Sequence, residues 1–444
     1  MAGAGGASVK HLEALRQRIL SRSAVVGVLG QGYVGLSLAC GAAEAGFGVI
    51  GFDIDAERIG QLRDGVLCVP GVPTEVFQNG VTTGRITFTT DAAGLGAADV
   101  IVICVPTPLR DEVPDLSFVE RACRDVAAQL TPGRLVVLES TTYPGSTDQL
   151  VRPLLEASGL RSGEDFLLAY SPERIDPGNH EFGLRNTPRI VGGTTEASTD
   201  VAGLFYGQLV DKVVPVSSAR AAELAKLLEN TFRHVNIALV NEMAMLCHET
   251  GTDVWEVVEA AATKPFGFMA FHPGPGVGGH CIPLDPSYLA WQVRRDAGHQ
   301  FRILEQAQDV NAQMPAYTAS RVGDVLNDAG LAVRGARILV LGVAYKPDVG
   351  DVRESPALKV IAKLRRRGAE LDFHDPYVET ITVGGDVLTR VELTDSVLAG
   401  ADCVVLLTPH RDYDLGRIAV QATRIFDSHD AYGPDGRPAN VVRL

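Results

Sequence analysis

Six polar side chains, Thr141, Glu173, Lys226, Asn230, Cys281 and Asp285, fall in four stretches whose composition leaves room for chemistry. The most unusual stretch is "GPGVGGHCIPLDPSYL", residues 274–289, where one cysteine sits among glycines and prolines with an aspartate four places on. Such a thiol is a metal ligand, a buried space-filler or a nucleophile. Zinc is discounted: neighbouring residues such as His280 and Cys281 chelate one ion badly, and no second Cys/His cluster accompanies them. The filler and the nucleophile both remain. Lys226 and Asn230, in "ELAKLLENTFR", are four apart and share one face of a helix. A lone helical lysine is ordinarily a solvated charge. "ESTTYPG" (139–145) holds Thr141 and "SPERIDPG" (171–178) holds Glu173; each follows an apolar strand. There the bland alternatives are a threonine capping a turn and a glutamate capping a helix.

A second group of residues points to a cofactor. "GQGYVG" places Gly30, Gly32 and Gly35 between a strand and a helix, with Tyr33 and Val34 opening the helix, and Asp53 ends the next strand 23 residues after Gly30. The first glycine permits a tight turn, the second admits a pyrophosphate, and the third lets helix and strand pack closely. With strand, helix and acidic residue all in place, the pattern predicts dinucleotide binding. A carboxylate at Asp53 accepts hydrogen bonds from ribose hydroxyls and repels a 2′-phosphate, which favours NAD over NADP; Arg58 is the nearby charge that could offset this.

These residues need a scaffold of repeated strand–helix units, and the chain supplies it. From Ala24, the runs "AVVGVLG", "GVIGFDID", "DVIVICVPTP", "RLVVLEST" and "DFLLAYSPE" alternate with helical stretches, as in a parallel sheet covered on both faces. Ligands of such sheets bind beyond the carboxyl ends of the strands. Residues 219–251 contain no proline and read as one long helix, roughly 50 Å at 1.5 Å per residue. Its apolar positions exceed what a one-sided surface helix needs, which predicts a dimer interface. A second α/β pattern starts at Ala336. The expected organisation is an N-terminal extension (1–22), an NAD-binding Rossmann domain (23–216), a central helical and dimerisation region with the cysteine loop (217–320), and a second Rossmann-like domain (321–444). The fold class is α/β: two Rossmann-type domains with parallel-sheet cores joined by a long central helix.

Composition bounds the partners. A net charge of −14 disfavours nucleic acid and anionic membranes, either of which calls for a basic face. No apolar run of about 18 residues suits a membrane span, and the N-terminus does not read as a signal peptide. Seven scattered cysteines give no disulfide framework. Cys104 and Cys403 read as core thiols. A cytoplasmic enzyme is the expected class.

Taken together, "GQGYVG", "CVPTP", "ESTTYPG", "SPER", "ELAKLLENTFR", "GPGVGGHCIPLDP" and "GVAYKPDVGDVRESPA" resemble the UDP-glucose/UDP-N-acetylhexosamine 6-dehydrogenases from about Ala24 to the C-terminus. The resemblance implies a homodimer or higher homo-oligomer. It also implies a four-electron oxidation of a sugar CH₂OH to a carboxylate with two NAD⁺ and one water. By it, Cys281 is the nucleophile, Lys226 and Asn230 stabilise the oxyanion, Asp285 and Thr141 position water, and Glu173 is the base for thioester hydrolysis. Pro106 and Thr107 join the NAD contacts, with Arg353 on the phosphate side; no metal is implied. Glu173, Arg174, Lys226, Asn230, Phe271, Pro273, Gly274, Gly278, Tyr345 and Lys346 are the implied substrate contacts. One departure stands out: the glucose-type branch has a second glutamate where this chain has Pro177. "SPERIDPG" and "GGHCIPLDP" resemble the N-acetylhexosamine branch, and "TKPFGFMAFHPGPG" resembles the UDP-N-acetylglucosamine 6-dehydrogenases in particular; UDP- or TDP-glucose is the alternative substrate. A two-electron hydroxyacid-type dehydrogenase would need the lysine but no cysteine. A non-catalytic dinucleotide sensor would need neither.

Overall fold

The computed structural model describes residues 4–69, 71–110, 113–176, 181–279, 282, 284–434 and 436–444. Two compact units emerge: one of residues 1–229 with 287–297, the other of 230–286 with 298–444. The helix Ala219–Thr250 passes from the first to the second without a break.

The first unit is built on an eight-stranded sheet. Its order is Val213–Pro215, Arg189–Gly193, Leu167–Tyr170, Leu135–Leu138, Val100–Ile103, Val25–Leu29, Gly48–Phe52 and Ile86–Thr89. Alternate strand residues face opposite sides, and the two sides belong to different cores. Val26, Val28, Val100, Val102, Leu135 and Val137 join one cluster; Leu29, Ile101, Ile103, Val136 and Leu138 join the other. Both faces are therefore covered, which is why these strands are continuously apolar. The sheet departs from the expected all-parallel pattern at one place: Leu167–Tyr170 and Arg189–Gly193 run antiparallel. That reversal brings the start of the latter strand, Arg189, to the carboxyl end of Leu167–Tyr170.

The N-terminal extension is not an idle tail. It forms a helix, Ala4–Leu20, whose Leu15 and Ile19, one turn apart, are buried in the same cluster as Val201 and Phe205 of the helix Glu196–Tyr206.

The second unit carries a five-stranded parallel sheet in the order Glu370–His374, Arg337–Leu341, Cys403–Leu406, Ile425–Asp427 and Val441–Arg443. The last strand and a hairpin of Thr380–Val383 with Asp386–Thr389 were not evident from sequence. The helix Pro356–Arg366 packs Val360, Ile361 and Leu364 onto the sheet, its start fixed by the Ser355 hydroxyl accepting from Ala357 N–H. No helix of the described residues is long and apolar enough to cross a membrane.

Candidate active site

At the cofactor end of the first unit, Gly30 has φ +88°, and a Cβ there would run into the Cys104 carbonyl oxygen. A Cβ at Gly35 would strike the Gly30 carbonyl oxygen, so this glycine permits the close approach of helix Tyr33–Glu44 to its preceding turn. Gly32 differs: a Cβ there would meet nothing within 4 Å, which leaves open room at the helix N-terminus, the end of a helix that attracts phosphate groups. Gly32 precedes that helix without a side-chain cap, so its first N–H groups are left for a ligand.

Asp53 is buried at the end of the second strand. Its carboxylate accepts from Gln31 N–H (2.7 Å) and Asp55 N–H (3.0 Å) and pairs with Arg58 Nη1 (3.0 Å). Arg58 also reaches Asp55 at 3.4 Å. The guanidinium that could have welcomed a 2′-phosphate is thus held by two carboxylates, which sharpens the preference for NAD. Thr107 is buried, and its carbonyl oxygen accepts from the Tyr288 hydroxyl at 2.5 Å. Tyr288 lies in the helix Asp285–Ala297, just past the cysteine loop, and its link to a cofactor-side residue was not legible in the sequence.

Glu173 does not cap a helix. One oxygen accepts from Arg174 N–H (2.7 Å) and Ile175 N–H (2.6 Å), and the other pairs with Arg189 Nη1 (2.6 Å). Arg174, expected at the substrate, pairs with Glu229 of the long helix (2.7 Å) and donates to Pro188 O (2.6 Å). Burial alone would raise the Glu173 carboxyl; the Arg189 charge and these hydrogen bonds outweigh it and hold it below the usual carboxylate range. Thr141 is half-buried at the end of the neighbouring strand.

Lys226 is not the solvated charge that a helical lysine usually is. It is only 8% exposed, and no hydrogen bond or ion pair holds it among the described residues. A buried ammonium with no counter-charge is costly, and it suits a site where negative charge is to develop. One turn earlier, Glu223 is fully buried and accepts from Gly145 N–H, Ser146 Oγ (3.0 Å), Thr147 N–H (2.9 Å) and Thr147 Oγ1 (2.7 Å). It caps the helical run that begins at Thr147 and pins the loop following Thr141.

In the second unit, Asn230 Nδ2 donates to Asp285 Oδ2 at 2.5 Å, a contact between two of the candidate residues that their spacing in the sequence does not announce. Asp285 is 3% exposed. The glycine loop is fastened at two points. Gly274 N–H donates to Asn241 Oδ1 (3.0 Å), and Gly279 N–H to Arg353 O (3.2 Å). A Cβ at Gly278 would lie 2.8 Å from Tyr345 Cβ and from Pro356 Cδ, so only glycine allows that packing. Phe271 stacks edge-on against Phe232 with centroids 5.7 Å apart, and Pro273 is buried. Arg353, expected on the cofactor's phosphate side, forks onto Asp351 with Nη2–Oδ2 at 2.6 Å. Tyr345 and Lys346 are half-buried in the same connection. A cavity of about 40 Å³ is bordered by Gly276, Tyr345, Thr408 and His429. His429, whose imidazole is pushed down by burial and by His272, is a candidate that no motif announced. His280, Cys281 and Pro177 lie outside the described residues.

Four of the other thiols are poor nucleophiles. Burial pushes Cys40, Cys123 and Cys403 up to about 12, and burial with Glu139 beside it raises Cys104 as well.

Three consecutive family models cover the chain: the NAD binding domain of the UDP-glucose/GDP-mannose dehydrogenase family over residues 24–210, its central domain over 220–313, and its UDP binding domain over 339–434. The chain belongs to the UDP-glucose/GDP-mannose dehydrogenase family. It is 38% identical to a UDP-N-acetyl-D-mannosamine dehydrogenase of Pyrococcus horikoshii over 87% of this chain and 90% of that one. A UDP-N-acetyl-D-glucosamine 6-dehydrogenase of Pseudomonas aeruginosa is 35% identical over 80% of this chain and 83% of its own. The solved structure of the P. horikoshii UDP-D-ManNAc dehydrogenase superposes with a TM-score of 0.85 at 36% identity, covering 94% of this chain and 98% of that one. As a member of the UDP-glucose/GDP-mannose dehydrogenase family, the chain is an NAD-dependent nucleotide-sugar dehydrogenase. The open turn at Gly32 and the carboxylate of Asp53 stand within the span matched by the family's NAD binding domain.

Proposed function

We propose that this protein oxidises C6 of a UDP-N-acetylhexosamine to the uronate, with Cys281 as the covalent nucleophile. The observation that carries the reading is Lys226, a buried ammonium that no acidic group neutralises among the described residues. NAD, when bound, supplies the hydride acceptor. The alcohol loses a proton and a hydride to become an aldehyde, and the Cys281 thiolate adds to its carbon. The thiohemiacetal loses a proton and a second hydride to give a thioester, which water cleaves to release the acid and the thiol. Lys226 and Asn230 stabilise the oxyanion at each tetrahedral stage. Asp285, aligned by Asn230, orients water together with Thr141. Glu173 receives the proton from the hydrolytic water. The glycine loop, with Phe271, Pro273, Gly274 and Gly278, closes around the nucleotide sugar, with Arg174, Tyr345 and Lys346 as further contacts.

The sugar best supported by "TKPFGFMAFHPGPG" is UDP-N-acetylglucosamine. UDP-N-acetylmannosamine is the second reading, favoured by the name of the relative that is 38% identical. A panel of both sugars with UDP-glucose and TDP-glucose, followed by NADH absorbance, decides between them. For the true substrate, two NADH are expected per sugar consumed; a clean ratio of one overturns the thioester route.

A homodimer acting in the cytoplasm completes the proposal. Leu224, Leu228, Phe232, Leu239 and Leu246 of the long helix are all exposed, more apolar surface than one helix leaves to water without a partner. Sedimentation equilibrium is expected to give twice the chain mass of 47.2 kDa, and a monomer at micromolar concentration excludes the interface.

A further inference from the structure

Arg189 opens a strand that runs antiparallel to Leu167–Tyr170, and the reversal delivers its side chain to the edge where the parallel strands end. There it is almost wholly buried and touches two acids at once. Nη1 meets Glu173 at 2.6 Å, Nη2 meets Glu139, and Nε donates to Ser171 Oγ at 2.9 Å. Glu139 in turn accepts from the Tyr206 hydroxyl at 2.5 Å and faces Cys104 Sγ at 3.5 Å, and the Arg189 guanidinium lies 4.9 Å over the Tyr206 ring. Glu139 stands two residues before Thr141. One cation thus ties the strand end that carries Thr141 to the segment that carries Glu173.

We propose that Arg189 is a positioning residue of the reaction, holding Glu173 in one orientation and in its ionised form while Glu139 competes for the same guanidinium. This rests on the reading of Glu173 as the hydrolytic base. The arithmetic of lone pairs supports it. Two backbone N–H groups occupy one Glu173 oxygen and Arg189 takes one direction on the other, so a single acceptor direction is left for a water. The charged and titratable groups around the pair are Glu139, Tyr206, Cys104 and Arg174, the last paired with Glu229. Two buried acids share one cation. Burial raises the Glu139 carboxyl, opposed by Arg189, whereas Glu173 is held low.

A base works only when ionised, so activity falls as pH drops through its pKa. Weakening the Arg189 contact raises that pKa and moves the acid limb to higher pH; removing Glu139 as competitor moves it lower. The experiment measures kcat against pH for Arg189→Lys, Arg189→Met, Glu139→Gln and Glu173→Gln, with NAD affinity measured alongside. Arg189→Met is expected to lose about 10- to 100-fold in kcat, with the acid limb raised and NAD affinity unchanged. Arg189→Lys is expected to recover part of both. Glu139→Gln, which keeps an acceptor for Tyr206 and provides a folded variant should Arg189→Met not fold, is expected to lower the limb. An acid limb that stays at its wild-type position in both Arg189→Lys and Glu139→Gln overturns the positioning role. If Glu173→Gln itself leaves rate and profile untouched, it is the assignment of Glu173 as base that fails, and the positioning proposal falls with it.

Discussion

Cys281→Ser is expected to abolish NADH formation while leaving NAD binding intact. The loss should be roughly four orders of magnitude or more, the scale on which removal of a covalent nucleophile acts. A serine hydroxyl is far less ionised than a thiol near neutral pH, and an ester is a poorer acyl donor to water than a thioester. The variant is therefore doubly handicapped, at attack and at release. Steady-state NADH production from the preferred sugar, with calorimetric titration of NAD, checks both halves of the expectation. Turnover at the wild-type rate would remove the thiol from the mechanism. Four other cysteines are unsuited to take its place: burial drives Cys40, Cys104, Cys123 and Cys403 away from the thiolate.

Glu223→Ala is expected to have the largest effect on stability. The carboxylate receives four donors from Gly145, Ser146 and Thr147, in a place closed to solvent. Alanine strips the acceptor from all four at once. Buried donors left bare cost about 1–3 kcal/mol each before relaxation, and a total of about 3–5 kcal/mol is expected. It also removes a negative charge from the start of a helical run. Glu223→Gln keeps one acceptor and should lose less. Urea denaturation followed by circular dichroism measures the difference, and hydrogen exchange at the Thr147 amide localises it. Unchanged exchange at that amide would show that the capping bonds contribute nothing. Because the same helix carries Lys226 three residues on, the variant should also lose activity in proportion to the loosened loop.

Local signals made the cofactor turn, the strands ending at Asp53 and Glu139, the long helix and the cysteine loop legible, because each is written in a short run of residues. Gly30 and Gly35 are needed where backbone meets backbone, and a turn–helix pattern announces that need. What escaped is non-local. Glu223 looks like any helical glutamate until its donors, more than 70 residues away, are brought to it. Arg189, in "NTPRIVGG", carries no pattern, and its importance arises from a strand reversal that composition does not encode. Tyr288 and His429 are likewise single residues whose partners come from distant segments. The burial of Lys226 was missed for a related reason: helical spacing places a side chain on a face but does not say what covers that face.

The helix Asp285–Ala297 bears on how the chain can be made. Its residues from Ser287 onward belong to the first unit, where Tyr288 and Trp291 join Leu116, Tyr143 and Leu227 in one apolar cluster. That unit is therefore interrupted in sequence by residues 230–286. During synthesis that cluster stays open until the ribosome has passed the intervening segment, and its exposed side chains are a target for chaperones or for aggregation in the meantime. A fragment ended after the long helix would carry every residue of the cofactor turn and still lack the side chains that complete this cluster.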